Sequence, residues 1–204
     1  VSVKLEGEFF RRPALEVARD IIGKGLVRVS PEGTVAGTIV EAEAYAGVGD
    51  PASHSFGGRR TARNEVLWGP PGHAYVYAIY GIYLCLNIVC SVEGDPQGVF
   101  LRAVRPTEGV DLMARRRGLD VRDERTLTRL CNGPSKLCIA FAIDRSLNGA
   151  DVCDDILYLV DGEPEGRVVA ASRVGVAYAG EAAKWPWRFL VEGDPYVSRR
   201  PGPR

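Results

Sequence analysis

The sequence predicts an α+β fold: one domain spanning residues 1–204, built on a curved, largely antiparallel sheet with flanking helices. Three observations carry this. Strand-like and helical stretches mix without the regular βαβ rhythm of a parallel sheet. Two strand-like runs, AYVYAIY and YLCLNIVCS, flank Gly81 and Ile82, the spacing of a hairpin. No repeat, low-complexity run or linker divides the chain, and 204 residues are enough to bury one core without disulfides.

Taken in order, Pro13 to Ile22 has helical spacing, a proline suited to a first turn and Gly23 as a stop. Gly25–Ser30 and Val35–Ala46 are strand-like and joined by a PEGT turn. Residues 47–73 are rich in Gly, Pro, Arg and Asn and lack periodicity; a loop of that length in a compact domain is usually functional. The hairpin follows, then GVFLRAVRP as a strand, and GVDLMARRRG and PSKLCIAFAI as helices. DILYLVD and RVVAASRVGV are strand candidates, with AGEAAKW and WRFLV after them. The terminal segment 197–204 is read as a flexible basic tail.

Composition narrows the class. With 46% hydrophobic and 25% charged residues the chain matches an ordinary globule, and no run of 18 apolar residues could span a membrane. The first residues lack the basic-then-apolar pattern of a signal peptide. The five cysteines follow no CxxC spacing and mostly sit among apolar residues, so reduced, buried thiols of a cytoplasmic protein are expected. Two histidines exclude a three-histidine zinc site. Formal net charge is zero, yet residues 54–145 carry a basic surplus balanced by acid elsewhere, which suits a polyanion on one side.

The stretch GTIVEAEAYAG concentrates the chemistry. Period two puts Glu41, Glu43 and Tyr45 on one strand face. Such a face is commonly solvated, and alternation alone does not choose between the two carboxylates. In AYVYAIYGIY, Tyr75 and Tyr77 share a face, and cross-strand packing is the expected fate of Tyr75 and Tyr83. Tyr80 stands beside the glycine at the turn, where a large ring has little core to fill but could wedge into a base step. Arg59, Arg60 and Arg63 in GGRRTARN are candidates for phosphate contacts. Ser135 and Lys136 are further candidates; adjacent on a helix they point apart, which argues against a Ser–Lys dyad, and Ser135 suits the cap or first turn. The GxSxG, P-loop and GxGxxG patterns are absent.

The ordered motifs VEAEAYAG, DPASHSFGGRRTARN, GPPGHAYVYAIYGIYLCLNIV, FLRAVRP, LCNGPSKLCIAFAI, RVGVAYAGE and PWRFLVEGDPYVS run from about Phe9 to Ser198. Together they resemble the alkyladenine (3-methyladenine) DNA glycosylase family. The resemblance implies a monofunctional base-excision enzyme that flips alkylated or related damaged purines out of duplex DNA and leaves an abasic site, with a protruding β-hairpin probing the minor groove. It implies that Glu43 activates the attacking water, with Arg102 and the backbone at Val174 positioning it. Tyr45, His54, Tyr77 and Asn87 are implied as the base pocket, and Tyr80 as the side chain that fills the gap in the duplex. It implies no cofactor or metal, a monomer, double-stranded DNA as partner, and a cytoplasmic or, in a eukaryote, nuclear location. The residues agree with this, since Glu43 and Tyr45 on one rigid strand would hold base catalyst and base wall together. Arg102 is expected to keep Glu43 ionised through its opposite charge. Phe56 and His73 depart from residues common in the family.

Two other classes fit parts of the pattern. A noncatalytic nucleic-acid-binding module would not need both Glu43 and Arg102. A carbohydrate hydrolase would need its two carboxylates on opposite sides of the scissile bond, whereas positions i and i+2 of a strand point the same way.

Overall fold

Residue order already hints at where each face of the long strand goes: Val40, Ala42 and Ala44 alternate with Glu41, Glu43 and Tyr45. A computed structural model describes residues 3–200. Two short helices, α1 (Gly7–Phe10) and α2 (Ala14–Asp20), lead into β1 (Gly25–Ser30) and the 13-residue β2 (Gly33–Tyr45). Residues 46–73 follow as turns and short 3₁₀ segments. Then come β3 (Ala74–Ile79), β4 (Tyr83–Cys90), β5 (Gln97–Glu108), α3 (Val110–Arg117), α4 (Glu124–Thr128), α5 (Pro134–Ala140), β6 (Leu157–Val160), β7 (Val168–Ala171) and β8 (Arg188–Val191). This is the expected α+β architecture, a curled antiparallel sheet in the order β3-β4-β5-β2-β1-β6, with β8 joining β2 and β7 joining β8.

The strand β2 is the axis of the fold because it changes neighbour midway. Its first half pairs with β1 and its second half, Glu41–Glu43, pairs with β8, while β5 runs along the other side of both. The β2–β5 register shifts between Ile39 and Glu41 and again between Glu41 and Ala42, leaving Val40 and Arg102 without cross-strand partners. A bulge of this kind re-aims side chains beside it. The apolar face of β2 is covered by α2, whose Ala14, Val17, Ala18 and Ile21 pack with Ile39, Ala42 and Ala44 in the main core. Helix α5 adds Leu137, Cys138 and Ala140 to the same core.

Several expectations are corrected. The Glu41 face is not solvated: both carboxylates are fully buried, because residues 172–174 and the 194–198 segment cover it. Within the expected tail 197–204, Val197 is buried and Ser198 is hydrogen-bonded to Glu41, so this start of the segment is fastened; residues 201–204 lie outside the described residues. Tyr75 is more deeply buried than a half-buried strand would place it, while Tyr83, paired across the turn with Ile79, is half exposed. The stretch RVVAASRVGV yields only four residues of strand. Of the five free cysteines four are buried and Cys153 is partly exposed. No helix among the described residues is long and apolar enough to cross a membrane.

Candidate active site

One row of cross-strand partners assembles the site. Tyr75 pairs with Asn87, Asn87 with Phe100, Phe100 with Glu43, and Glu43 with Arg188, so five strands present these side chains on one face. Tyr77, Arg102, Glu41 and Tyr45 stand two residues along the same strands and join that face.

The carboxylate of Glu43 is held at both oxygens. Val174 N–H donates to Oε1 at 2.8 Å and the Tyr45 hydroxyl donates to Oε2 at 2.9 Å. Arg102 approaches Oε1 with Nη1 at 3.3 Å. Burial nevertheless wins over these three: it raises the Glu43 pKa above the ordinary carboxylate value, with Arg102, the Val174 N–H and Tyr45 pulling it back and Glu41 pushing further up. The expectation that Arg102 sets a depressed pKa is therefore corrected in net sign, because the loss of solvation around a sealed carboxylate outweighs one contact at 3.3 Å. Burial and the Glu43 charge hold the Tyr45 phenol well above its usual range, so it stays a donor.

Glu41 has a different environment. It accepts from Arg102 Nε at 3.0 Å, Arg188 Nη1 at 2.8 Å and the Ser198 N–H at 2.6 Å. Beside it Arg102 Nη2 donates to Ser198 Oγ at 3.1 Å. Neither Arg188 nor Ser198 carries a sequence signal for this role, since both partners lie more than 140 residues from Glu41 along the chain.

Next to this cluster is a tight cleft of about 50 Å³, lined by Tyr45, His54, Tyr75, Tyr77, Asn87 and Tyr178 among others. Tyr45, His54, Tyr77 and Asn87, expected together from sequence, all line it, and Tyr75 and Tyr178 are among the residues that join them. Glu43 does not line it; its link to the cleft is the Tyr45 hydroxyl. Tyr77 stacks on Tyr75 with centroids 5.1 Å apart, and His54 meets Tyr77 edge-on at 4.6 Å. A ring nitrogen of His54, Nδ1, is 3.0 Å from the Tyr75 hydroxyl. Burial, and then Arg63 and Arg59, push the His54 pKa down to about 4, so the imidazole is neutral near pH 7. Asn87 is buried, with its amide directed at the Tyr75 carbonyl. Tyr178 is 71% exposed at the mouth, anchored through its hydroxyl to the Ala52 carbonyl at 3.0 Å. Nothing in its spacing ties it to the cleft from sequence.

A second, open cleft shares Ser53, His54 and Tyr178 with the first and is lined by Arg59, Arg63 and Phe56. Of the three loop arginines, Arg60 is engaged with Glu65, and Arg63 donates to the Ala78 carbonyl while lying over the Tyr77 ring. Arg59 is exposed. Tyr80 is 89% exposed at the hairpin turn, with φ of 52°. Ser135 lies in the first turn of α5, one of its two expected places, with Gly133 at the cap position without a side-chain bond, and it borders a cavity with Ile82 and Tyr83. Lys136 Nζ donates to Asn132 Oδ1. Among the described residues no group of three or more His, Cys, Asp and Glu side chains could hold a metal ion.

A protein-family model described as Methylpurine-DNA glycosylase (MPG) matches residues 8–195. A protein of Methanocella arvoryzae named "Putative 3-methyladenine DNA glycosylase" is 50% identical over 197 residues, covering 96% of each chain. Proteins of the same name from Desulfitobacterium hafniense and Clostridium acetobutylicum are each 46% identical, covering 96% of this chain and 98% of their own.

Proposed function

The chain belongs to the methylpurine-DNA glycosylase family, a hydrolase family of DNA repair, and on that basis we propose a mechanism of water-mediated excision from a flipped nucleotide. The observation that carries it is the single hydrogen bond joining Glu43 to the aromatic cleft through Tyr45. A purine inside a duplex hides its glycosidic bond, so the nucleotide leaves the stack and its base enters the cleft. Tyr45 and Tyr77 provide walls for the base by stacking, and His54 and Asn87 offer polar atoms to its edge. Tyr80, fully projecting, enters the space the base leaves and offsets part of the unstacking cost. Arg59, Arg60, Arg63, Ser135 and Lys136 are the candidates for backbone phosphate contacts, with Arg59 the most available.

At the sugar, the C1′–N bond breaks with its electron pair going to the purine, and a water oxygen bonds to C1′. Glu43 takes the proton from that water and its negative charge stabilises the developing oxocarbenium ion. The Val174 N–H and Arg102 hold the carboxylate in place during this step. The products are a free purine and an abasic site, without strand scission. The partner is double-stranded DNA bearing a damaged purine, engaged by a monomer.

The test is excision of an N-methylated purine from a labelled duplex, with alkali cleavage of the product. Glu43→Gln should lower the rate by about 10²- to 10⁴-fold, the usual worth of a general base. Wild-type rates in that variant would remove Glu43 from the mechanism, and strand breaks without alkali would refute the monofunctional step. Glu41 does not serve as a second catalytic carboxylate, because its partners Arg102, Arg188 and Ser198 lie outside the cleft, whereas Glu43 is joined to the cleft through Tyr45. Steep loss of binding with rising salt separates a DNA enzyme from a sugar hydrolase.

A further inference from the structure

Two carboxylates two residues apart on one strand, both sealed from solvent, need an explanation for the one that does no chemistry. Removing an ion from water costs several kcal/mol even after relaxation, so a buried Glu41 persists only where its partners need it. Its partners define a fork. Arg102 gives Nε to Glu41 and Nη2 to Ser198 Oγ, which leaves only Nη1 facing Glu43, at 3.3 Å. An unconstrained guanidinium beside a carboxylate settles into a bidentate pair, with two parallel N–H donors on its two oxygens. That arrangement at Glu43 would occupy the lone pairs a water must reach and weaken the carboxylate as a base.

We propose that Glu41 is a positioning residue that claims the Nε edge of Arg102 and so holds this guanidinium off the catalytic carboxylate, with Ser198 of the 194–198 segment fixing the other edge. The inference rests on Glu43 being the base. Glu41 is in turn kept in place by Arg188, whose Nε donates to the Ser172 carbonyl and whose Nη1 also donates to the Arg199 carbonyl. The cluster thus ties β2, β5, β8 and the C-terminal segment into one unit. The groups facing Glu43 are Glu41 and Tyr45 on its own strand, Arg102 on β5, the Val174 N–H, Tyr77 on β3, Cys85 on β4 and, farther out, Tyr178; Arg188 on β8 stands behind Glu41. Both consequences of removing the Glu41 charge have one sign. Its repulsion of Glu43 disappears, and Arg102 is freed to close on Glu43, so the base becomes more acidic.

The experiment is the pH dependence of single-turnover excision from a duplex carrying one N-methylated purine, for wild type, Glu43→Gln, Glu41→Gln and Ser198→Ala, with duplex affinity and thermal melting measured alongside. Glu41→Gln should lower the plateau rate about 10-fold, a fraction of a general base's worth. It should move the acid limb to lower pH and leave duplex affinity unchanged. Ser198→Ala, which keeps the N–H that Glu41 accepts from, should move the limb the same way by less. A limb that is unmoved or shifted upward in Glu41→Gln overturns the proposal, and so does a downward shift there that Ser198→Ala fails to reproduce, since lost repulsion alone would explain it. If Glu41→Gln does not fold, Ser198→Ala decides, and an unmoved limb there refutes the proposal. Wild-type excision by Glu43→Gln would instead overturn the reading of Glu43 as base, whatever Glu41 does.

Discussion

The far half of β2 and the tip of the β3–β4 hairpin belong to one sheet, and they are built on opposite rules. Around Glu41 and Glu43 the charges are sealed, every carboxylate oxygen has a donor, and the donors come from β2 itself, β5, β8 and two distant segments. At the hairpin tip Tyr80 and Ile82 are 89% and 73% exposed, and Tyr80 adopts a left-handed φ of 52° ahead of Gly81 at 77°. A bulky residue rarely takes that conformation without a reason. In the proposed mechanism the sealed region fixes the groups that move a proton. The tip holds one ring out of the core for a partner. Damage to the first should therefore lower stability and shift the pH response, and damage to the second should weaken engagement of DNA without lowering stability or moving the pH response.

The largest effect tests whether the sealed region is also the keystone of the fold. Beside Glu43, Asp50 and Arg173 form an ion pair with both side chains fully buried, Arg173 Nη2 donating to Oδ1 at 2.8 Å. Asp50 also accepts from the Ala46 and Ala52 N–H groups, and Arg173 lies 4.8 Å over the Tyr45 ring while donating to the Ala44 carbonyl. Asp50→Ala strands a buried guanidinium, which costs about 3–5 kcal/mol. A chain of this size loses about 2–4 °C in Tm per kcal/mol. A thermal melt within a degree or two of wild type would show that this ion pair does not hold the sealed region together.

Next in size is Tyr80→Gly, which should move two readouts in opposite directions. Glycine removes the left-handed penalty, worth about 1–2 kcal/mol, so the free protein should melt slightly higher. Excision should fall about 10- to 100-fold, because unstacking a base costs a few kcal/mol that the wedge no longer offsets. The pH profile should keep its shape. A shifted acid limb would mean that tip and cluster communicate, and the separation drawn above would fail.

How much of each region could be read in sequence follows the same divide. The hairpin and Tyr80 were legible because a turn is local: two strand-like runs and a glycine suffice to place the ring at the tip. The Glu43–Tyr45 relationship was legible through period two. Its burial was not, since alternation describes two faces without saying what covers them, and the cover comes from residues 172–174 and 194–198 far along the chain. Arg188 is invisible for the same reason, becoming a neighbour of Glu43 only through the β2–β8 pairing. Helices α1 and α4, of four and five residues, are too short to show a periodic face. The sign of the Glu43 shift escaped sequence reasoning because a charge partner is visible as a residue type, whereas desolvation depends on the whole fold.

The smallest predicted effect is the sharpest probe of the link between cleft and carboxylate. Tyr45 serves both: its ring lines the cleft and its hydroxyl donates to Glu43 Oε2 at 2.9 Å. Tyr45→Phe keeps the ring and removes one of the three contacts that pull the Glu43 pKa back down, leaving Arg102 and the Val174 N–H in place. The Glu43 pKa should therefore rise further, and the acid limb of the excision profile should move to higher pH, opposite to the direction predicted for Glu41→Gln. Base stacking should survive, so duplex affinity should hold. Oppositely signed shifts from two residues flanking one carboxylate are hard to produce by general loosening of the site, which would move both the same way. Shifts of equal sign would show that Glu43 responds to packing rather than to its individual donors and charges.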